Sequence, residues 1–457
     1  MNERSSAPLS GGLYSRLSVM MFLQYAIWGA WLPILYPFLM GHRGFSLDQT
    51  GAILMAGAVG AIVGPFIAGQ IADRYFATER FLAASHLAGA ALVWFLADVS
   101  SFWMFLVLSL VYGLVYAPTL ALTNSLSFHH LPDRDRHFGW VRVWGTIGWI
   151  AAGVGVGHYL GHFHTPEGAP ELVAAAQDAG RAGAFKLSAI LGVAMAFYCL
   201  SLPHTPPSAA PGEENATLEA LGEVKRMPLL LLFALAVPVS IIHQFYFVHT
   251  SQFLSELQRG TESADSLAAG INNVLGVGGG GLMTIGQMAE IVVLAVLPLV
   301  ALRVSRKALL AVGLAAYAAR MALFAYTDSV TTVLSGVALH GLCFGCFIFV
   351  AFMVVDEETS ADVKASAQNL FNLVVVGIGI IAGSLFATSV VGRWATRPKL
   401  DEAGLPLLGD AGDPLTYVDY TRLFSVPMWI AIACLVVLLI GYPSRSAARG
   451  GTEPAGA

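Results

Sequence analysis

Apolar residues in this chain neither alternate nor recur in narrow stripes. They come in long runs broken by short polar stretches. Twelve such runs stand out, at 17–39, 50–72, 80–98, 102–125, 141–160, 184–202, 228–249, 279–302, 308–327, 330–355, 366–391 and 420–442. Each is close to the ~20 residues a helix needs to cross the hydrocarbon core of a bilayer. Backbone polar groups in lipid must be satisfied inside the segment, so runs of this length predict helices. The third and sixth runs are the shortest, the fifth and seventh the most polar. Glycines are frequent within the runs, which suits close helix packing in a membrane. The first run follows a short polar start, Met1 to Arg16, with no small-residue cleavage site, and predicts an uncleaved helix.

The polar stretches between runs supply the topology. An even number of spans puts both termini on one side. Lys and Arg are more numerous in the stretches on the N-terminal side, which predicts cytoplasmic termini. The stretch 203–227 carries Pro203, Pro206, Pro207 and Pro211, then Glu213, Glu214, Lys225 and Arg226. It reads as a cytoplasmic connector between an N-terminal six-helix bundle, 1–202, and a C-terminal one, 228–457, with a short tail. Two stretches on the other side, 161–183 and 393–418, read as loops rich in Gly, Pro and acidic residues. The expected fold class is therefore all-α and polytopic, with twelve transmembrane helices in two six-helix halves. Repeated halves with a site between them near the midplane are the plan of many secondary transporters.

Composition agrees. Of 457 residues 56% are hydrophobic and 12% charged, about half the charge of soluble domains, and mean hydropathy is +0.69. The net charge of −5 is spread thinly, and no basic stripe points to nucleic acid. The four cysteines, Cys199, Cys343, Cys346 and Cys434, all fall in apolar runs, which argues against a disulfide framework.

The turn after the second run reads Gly69-Gln70-Ile71-Ala72-Asp73-Arg74, with Arg80 following, and the turn after the eighth carries Arg303, Arg306 and Lys307. The first of these resembles the cytoplasmic loop signature of the major facilitator superfamily. Tyr75, Phe76 and Ala77 follow where that signature has its second glycine. The resemblance implies a conformational latch of Gly69, Asp73, Arg74 and Arg80. The alternative is a charge cluster that only sets topology.

An ionisable group at membrane depth is costly and usually faces a cavity or a partner. Arg142, Glu290, Arg320 and His340 stand out on that ground. Arg142, Thr146 and Trp149 occupy i, i+4 and i+7 of one helix face, offering a cation, a hydroxyl and an aromatic plate. Gln287 and Glu290, at i and i+3, add an amide and a carboxylate, and Gln244 a further amide. A small polar solute with a flat ring suits this set, its ring against the aromatics. Competing readings remain open. Arg142 could snorkel to the membrane edge, Glu290 could form a structural ion pair with Arg142 or Arg320, and the two glutamines could be interhelical glue.

The run Phe22-Leu23-Gln24-Tyr25-Ala26-Ile27-Trp28-Gly29-Ala30-Trp31-Leu32 resembles the first helix of the bacterial nucleoside permeases, the nucleoside:proton symporters of the facilitator superfamily. Similar stretches follow in order: Tyr116-Ala117-Pro118-Thr119-Leu120 with Asn124, Arg142-Val143-Trp144-Gly145-Thr146-Ile147-Gly148, Leu202-Pro203-His204, Gln287 with Glu290, Ala322-Leu323-Phe324-Ala325-Tyr326 and Ala365-Ser366-Ala367-Gln368. The Arg-x-Trp-Gly-Thr-Ile-Gly stretch is the most specific. The resemblance implies nucleoside import with protons across a bacterial inner membrane. It implies substrate contacts from Arg142, Thr146 and Trp149 on one side, and from Gln244, Gln287, Glu290, Phe344 and the His340 position on the other. The family pattern has a tyrosine where His340 stands, an aspartate where Gly345 stands and an asparagine where Phe247 stands. These departures bear on the proton route and on base preference.

Glu290 is the expected proton carrier, with His340 as a second proton-coupling residue, since an unperturbed histidine titrates near about 6.5. Desolvation favours the neutral form of a carboxylic acid and a nearby guanidinium the ionised form, so a cavity that opens and closes can alternate the two. The partners expected are a nucleoside, protons and the bilayer, with no cofactor, metal or nucleic acid. A functional monomer is expected, because this architecture is complete within one chain.

Other signals carry less. Gly276-Val277-Gly278-Gly279-Gly280-Gly281 matches G-x-G-x-x-G, but it opens a membrane helix and follows no strand, so a pliable helix start is expected rather than a dinucleotide site. Cys343 and Cys346 form C-x-x-C inside an apolar run, as packing residues do. His158, His162 and His164 lack a carboxylate partner at fixed spacing for a metal. The Asn215-Ala216-Thr217 sequon falls in the expected cytoplasmic connector. No nucleophile triad, metal motif or paired intramembrane aspartates suggest an enzyme. A sugar symporter and a transport-dead sensor are the alternatives; a sensor would usually add a soluble output domain.

Overall fold

Long helices fill the computed structural model, which describes residues 9–206, 222, 224–261, 266–360, 364–409 and 412–443, without the side chains of 61, 64–75, 135, 260, 261, 266, 268 and 365. In chain order they are α1 (Gly11–His42), α2 (Leu47–Tyr75), α3 (Thr78–Leu96), α4 (Phe102–His130), α5 (Arg134–Phe163), α6 (Pro170–Cys199), α7 (Leu229–Thr261), α8 (Gly280–Ala301), α9 (Arg306–Tyr326), α10 (Val330–Glu358), α11 (Ser366–Ala395) and α12 (Tyr420–Gly441). Among the described residues, 9 helices are long and apolar enough to cross a membrane. Large apolar side chains stand on the outer surface: Trp103 is 71% exposed, Leu302 84% and Ile440 82%. A soluble monomer does not present such a surface, so this is a multi-pass membrane protein.

The helices outrun the apolar stretches because their ends are capped by polar residues. Ser46 and Gln49 form a capping box at the start of α2. Asp133, Ser305 and Asp419 accept backbone N–H groups at the starts of α5, α9 and α12. Charged residues such as Arg134 and Arg136 are thereby drawn into α5, seven residues before its apolar run begins. Two expected loops also gain structure. Residues 170–180 are helical and form the first part of α6, started by Pro170 in the first turn with Glu171 beside it. Residues 393–418 hold a small antiparallel pair, β1 (Thr396–Pro398) with β2 (Thr416–Val418). A short helix, Ser266–Leu275, precedes α8. The latch positions Gly69, Asp73 and Arg74 have side chains outside the described residues, as do most of the connector and the sequon; Arg80 is exposed in the first turn of α3.

Buried apolar residues form two clusters. The N-terminal one runs from Leu17 to Leu202. The C-terminal one runs from Val224 to Tyr442 and takes in Tyr36 of α1. The two meet at the molecular end that holds the α1–α2, α5–α6 and α7–α8 connections. There Val277 N–H donates to the Gly157 carbonyl at 3.2 Å, and His158 Nε2 bonds the Val274 carbonyl at 3.0 Å. Arg181 Nη2 donates to Ser255 Oγ at 3.3 Å and to the Gly278 carbonyl at 3.4 Å. Asp48 pairs with Arg393, and Tyr36 packs edge-on against His249 with centroids 4.8 Å apart.

Glycine makes this junction possible. Gly276, Gly278 and Gly279 have φ of 82°, 83° and 81°, the region only glycine adopts readily. A Cβ at Gly157 would lie 2.8 Å from the Leu275 carbonyl oxygen. The glycine run is thus a strap laid across α5, more specific than a pliable helix start. At the opposite end a cavity of about 430 Å³ opens, lined by Ala121, Asn124, Ser125, Phe128, His129 and Arg134.

Candidate functional site

Helices α5 and α8 cross between the clusters, with Gly153 against Thr284 and the Gly280 carbonyl. The polar faces expected from the sequence begin beside this crossing. On α5, Trp149 is buried and meets Trp28 edge-on at 5.8 Å. Its approach to α1 requires Gly29, where a Cβ would fall 2.8 Å from the Trp149 Cα. Two turns away, the Arg142 guanidinium lies over the Tyr25 ring, 4.0 Å from its centroid, a cation–π contact that steadies a half-buried cation. Thr146 is half-buried between them.

On α8, Gln287 is 6% exposed. Its Oε1 is buried with no hydrogen-bond partner among the described residues. Native proteins rarely leave a buried acceptor unmatched. One turn on, the Glu290 side chain is 16% exposed, and its Oε2 stands 3.7 Å from His340 Nε2. Arg142 lies within electrostatic reach of Glu290 across the junction. The direct neighbour of Glu290 is therefore His340, in place of the guanidinium pair that was one reading of the sequence.

Behind His340 the C-terminal cluster is unusually polar. Arg320 has no exposed surface and sits between Tyr246 and Tyr317, at 4.5 and 5.0 Å from the ring centroids. Its Nη1 bonds His340 Nδ1 at 3.0 Å, while Nε and Nη2 have no hydrogen-bond partner among the described residues. His340 stacks on Tyr246 at 4.7 Å, and His243 Nδ1 bonds the Tyr317 hydroxyl at 2.7 Å.

The remaining expected residues divide. Gln244 Nε2 donates to Ser384 Oγ at 3.0 Å, tying α7 to α11, so its amide nitrogen is engaged within the cluster. Phe344 lies half-buried in a π-helical turn, Cys343–Phe349, just after His340; such turns recur at functional sites. A Cβ at Gly345 would lie 2.6 Å from Val293 Cγ1, so α8 occupies the place an acidic side chain would take. Phe247 meets His340 edge-on at 6.0 Å.

A family model described as Nucleoside H+ symporter matches residues 12–446. The chain belongs to that family. Among relatives of this symporter, YegT of Escherichia coli (strain K12) is 33% identical over 381 residues, 81% of this chain and 82% of the relative. The xanthosine permease of the same strain is 29% identical over 392 residues, 82% of this chain and 87% of the relative. The crystal structure of nucleoside transporter NupG matches with a TM-score of 0.74 at 21% identity, covering 93% of this chain and 98% of that one. That likeness shows a shared fold, the major facilitator fold.

Tyr25, His243, Tyr246 and Tyr317 were not singled out from the symporter's sequence. Faint signals exist: Tyr317 precedes Arg320 by three residues, and His243 precedes Tyr246 by three, so each pair shares a helix face. Which faces oppose each other depends on helix rotation, and single runs do not encode that.

Proposed function

We propose that this nucleoside:proton symporter works by alternating access of two six-helix halves, 1–202 and 228–457, joined by a cytoplasmic connector, 203–227, with twelve spans and both termini cytoplasmic. The glycine strap then joins the halves on the outer side, the arrangement of an inward-facing conformation. Arg142, Thr146 and Trp149 hold the nucleoside from α5. Gln287, Glu290, His340, Phe344 and the amide oxygen of Gln244 hold it from the other half. Gly69, Asp73, Arg74 and Arg80 form the inner latch, which locks the halves when the molecule faces outward.

The observation that carries this reading is the unpartnered Gln287 Oε1, one turn from Glu290 on the helix facing Arg142. An acceptor desolvated for nothing is costly, whereas a nucleoside N–H or hydroxyl satisfies it. Glu290 takes a proton from outside, and as the neutral acid it can donate as well as accept toward the solute. The halves rock, and both cargoes leave inward. One proton moving through about 100 mV supplies about 2.3 kcal/mol, or roughly fifty-fold accumulation.

The test is Glu290→Gln in proteoliposomes loaded with and without unlabelled nucleoside. Uphill uptake of tritiated nucleoside should disappear and counterflow exchange persist. Accumulation at the wild-type level by this variant removes Glu290 from the proton route.

A further inference from the structure

A guanidinium sealed in a membrane-spanning bundle is a heavy burden on folding, and Arg320 is held there without touching a carboxylate in any described contact. The ring faces of Tyr246 and Tyr317 offset part of that cost. Its hydrogen bond to His340 has a chemical consequence. A guanidinium can only donate, so His340 Nδ1, 3.0 Å from Arg320 Nη1, must be the bare acceptor. The imidazole hydrogen therefore sits on Nε2, and this N–H faces Glu290 Oε2 at 3.7 Å.

We propose that Arg320 is a positioning residue for the proton site: it locks His340 as the Nε2–H tautomer, sets that donor against Glu290, and supplies positive charge behind it. The proposal rests on Glu290 being the proton carrier. It also narrows the role of His340 from a second carrier to a bridge, because a proton added at Nδ1 would break the bond to Arg320 and oppose two cations. The groups that face Glu290 are Arg142 on α5 and His340 on α10, with Tyr246 on α7 and Arg320 on α9 behind the histidine. Gly345 adds no acid on α10, since α8 packs against it. The carboxylate thus works between one cation across the junction and another behind His340.

The experiment measures counterflow of tritiated uridine, adenosine and xanthosine against pH, in the full-length protein, for wild type, Arg320→Gln and Arg320→Lys. Exchange that needs protonated Glu290 falls as pH rises. A carboxylate that loses a positive neighbour takes up a proton more readily, so Arg320→Gln should move the midpoint about one pH unit to the alkaline side. Arg320→Lys should restore most of the wild-type profile. In a Glu290→Gln background Arg320→Gln should displace nothing. An unchanged profile in an Arg320→Gln protein that still exchanges nucleoside overturns the proposal, as does an equal displacement without Glu290. If Arg320→Gln fails to reach the membrane, His340→Phe keeps a ring on Tyr246 but removes both ring nitrogens, and must move the midpoint the same way. A wild type that exchanges none of these nucleosides would instead count against the substrate reading above.

Discussion

Each helix cluster is pinned by a buried polar knot joining its first, third and fourth long helices, and the two knots differ in kind. In the N-terminal cluster, Gln24 of α1 donates to Thr119 of α4 at 2.8 Å and meets His86 of α3 at 2.9 Å. Tyr116 returns its hydroxyl to the Gln24 carbonyl. Both ends of the amide are taken, and no group carries a fixed charge. In the C-terminal cluster the equivalent helices contribute His243 and Tyr246, Tyr317 and Arg320, and His340. That knot contains a permanent cation, two of whose nitrogens have no hydrogen-bond partner among the described residues, and it reaches through His340 toward Glu290. A knot that only fastens helices needs partners and no more. Surplus charge directed at a largely buried carboxylate is what a proton-handling site requires.

The contrast predicts opposite consequences for substitutions in the two knots. The largest concerns accumulation. Glu290→Gln should lower the steady-state ratio from a ceiling of roughly fifty-fold to about one, whereas Gln24→Leu should leave the ratio per active molecule unchanged. Uptake into vesicles with an imposed proton gradient separates the two, and a collapsed ratio in Gln24→Leu would erase the distinction. Next comes stability. Gln24→Leu strands His86 Nε2 and takes one of two bonds from the Thr119 hydroxyl, which still donates to the Tyr116 carbonyl; it should cost about 2 kcal/mol, read as a lower unfolding temperature in detergent. A smaller effect falls on Gln287. Its Oε1 has no partner among the described residues to lose, so Gln287→Leu should keep or slightly raise thermal stability. Nucleoside affinity should weaken about tenfold, equivalent to about 1.4 kcal/mol. Equilibrium binding by calorimetry checks this, and unchanged affinity would mean that the amide merely fills space.

Much of this contrast was visible before the fold. Arg142, Glu290, Arg320 and His340 announce themselves because ionisable residues are rare in apolar runs, and Arg142, Thr146 and Trp149 share a face by spacing alone. The helices were legible for the same reason, since about twenty apolar residues in lipid have one outcome. What could not be read were the pairings. Gln24 appeared only as part of a resemblance, and nothing in its run says that α3 and α4 turn His86 and Thr119 toward it. Glu290 looked equally able to pair with Arg142 or Arg320, because the rotations of α5, α8 and α9 decide which neighbour arrives first. The strap was hidden by its own composition. Glycines mark permissive backbone, and what they permit here, the approach of Gly276 to Gly157, depends on a helix more than a hundred residues earlier. The β1–β2 pair is three residues a side, too short for an alternating pattern to register.

The smallest effect lies at the junction that both clusters share. Asp48 at the start of α2 and Arg393 at the end of α11 form an ion pair, with side chains 56% and 64% exposed. Exposed pairs contribute at most about 1 kcal/mol and are screened by salt. The strap, which joins α5 and α6 to the chain before α8, contributes directional bonds from Val277 to Gly157 and from Arg181 to Gly278. If the strap carries the closure, Asp48→Asn should shift the balance of outward and inward conformations by no more than about fivefold, and less as salt rises. Gly157→Ala should shift it further, because its new Cβ meets the Leu275 carbonyl. Accessibility of a cysteine introduced at Ser255, which faces Arg181 across the junction, reports the balance in both variants. A larger change in Asp48→Asn than in Gly157→Ala would move the closure from the strap to the surface charges. The glycine run would then be a spacer between α7 and α8 and not the gate.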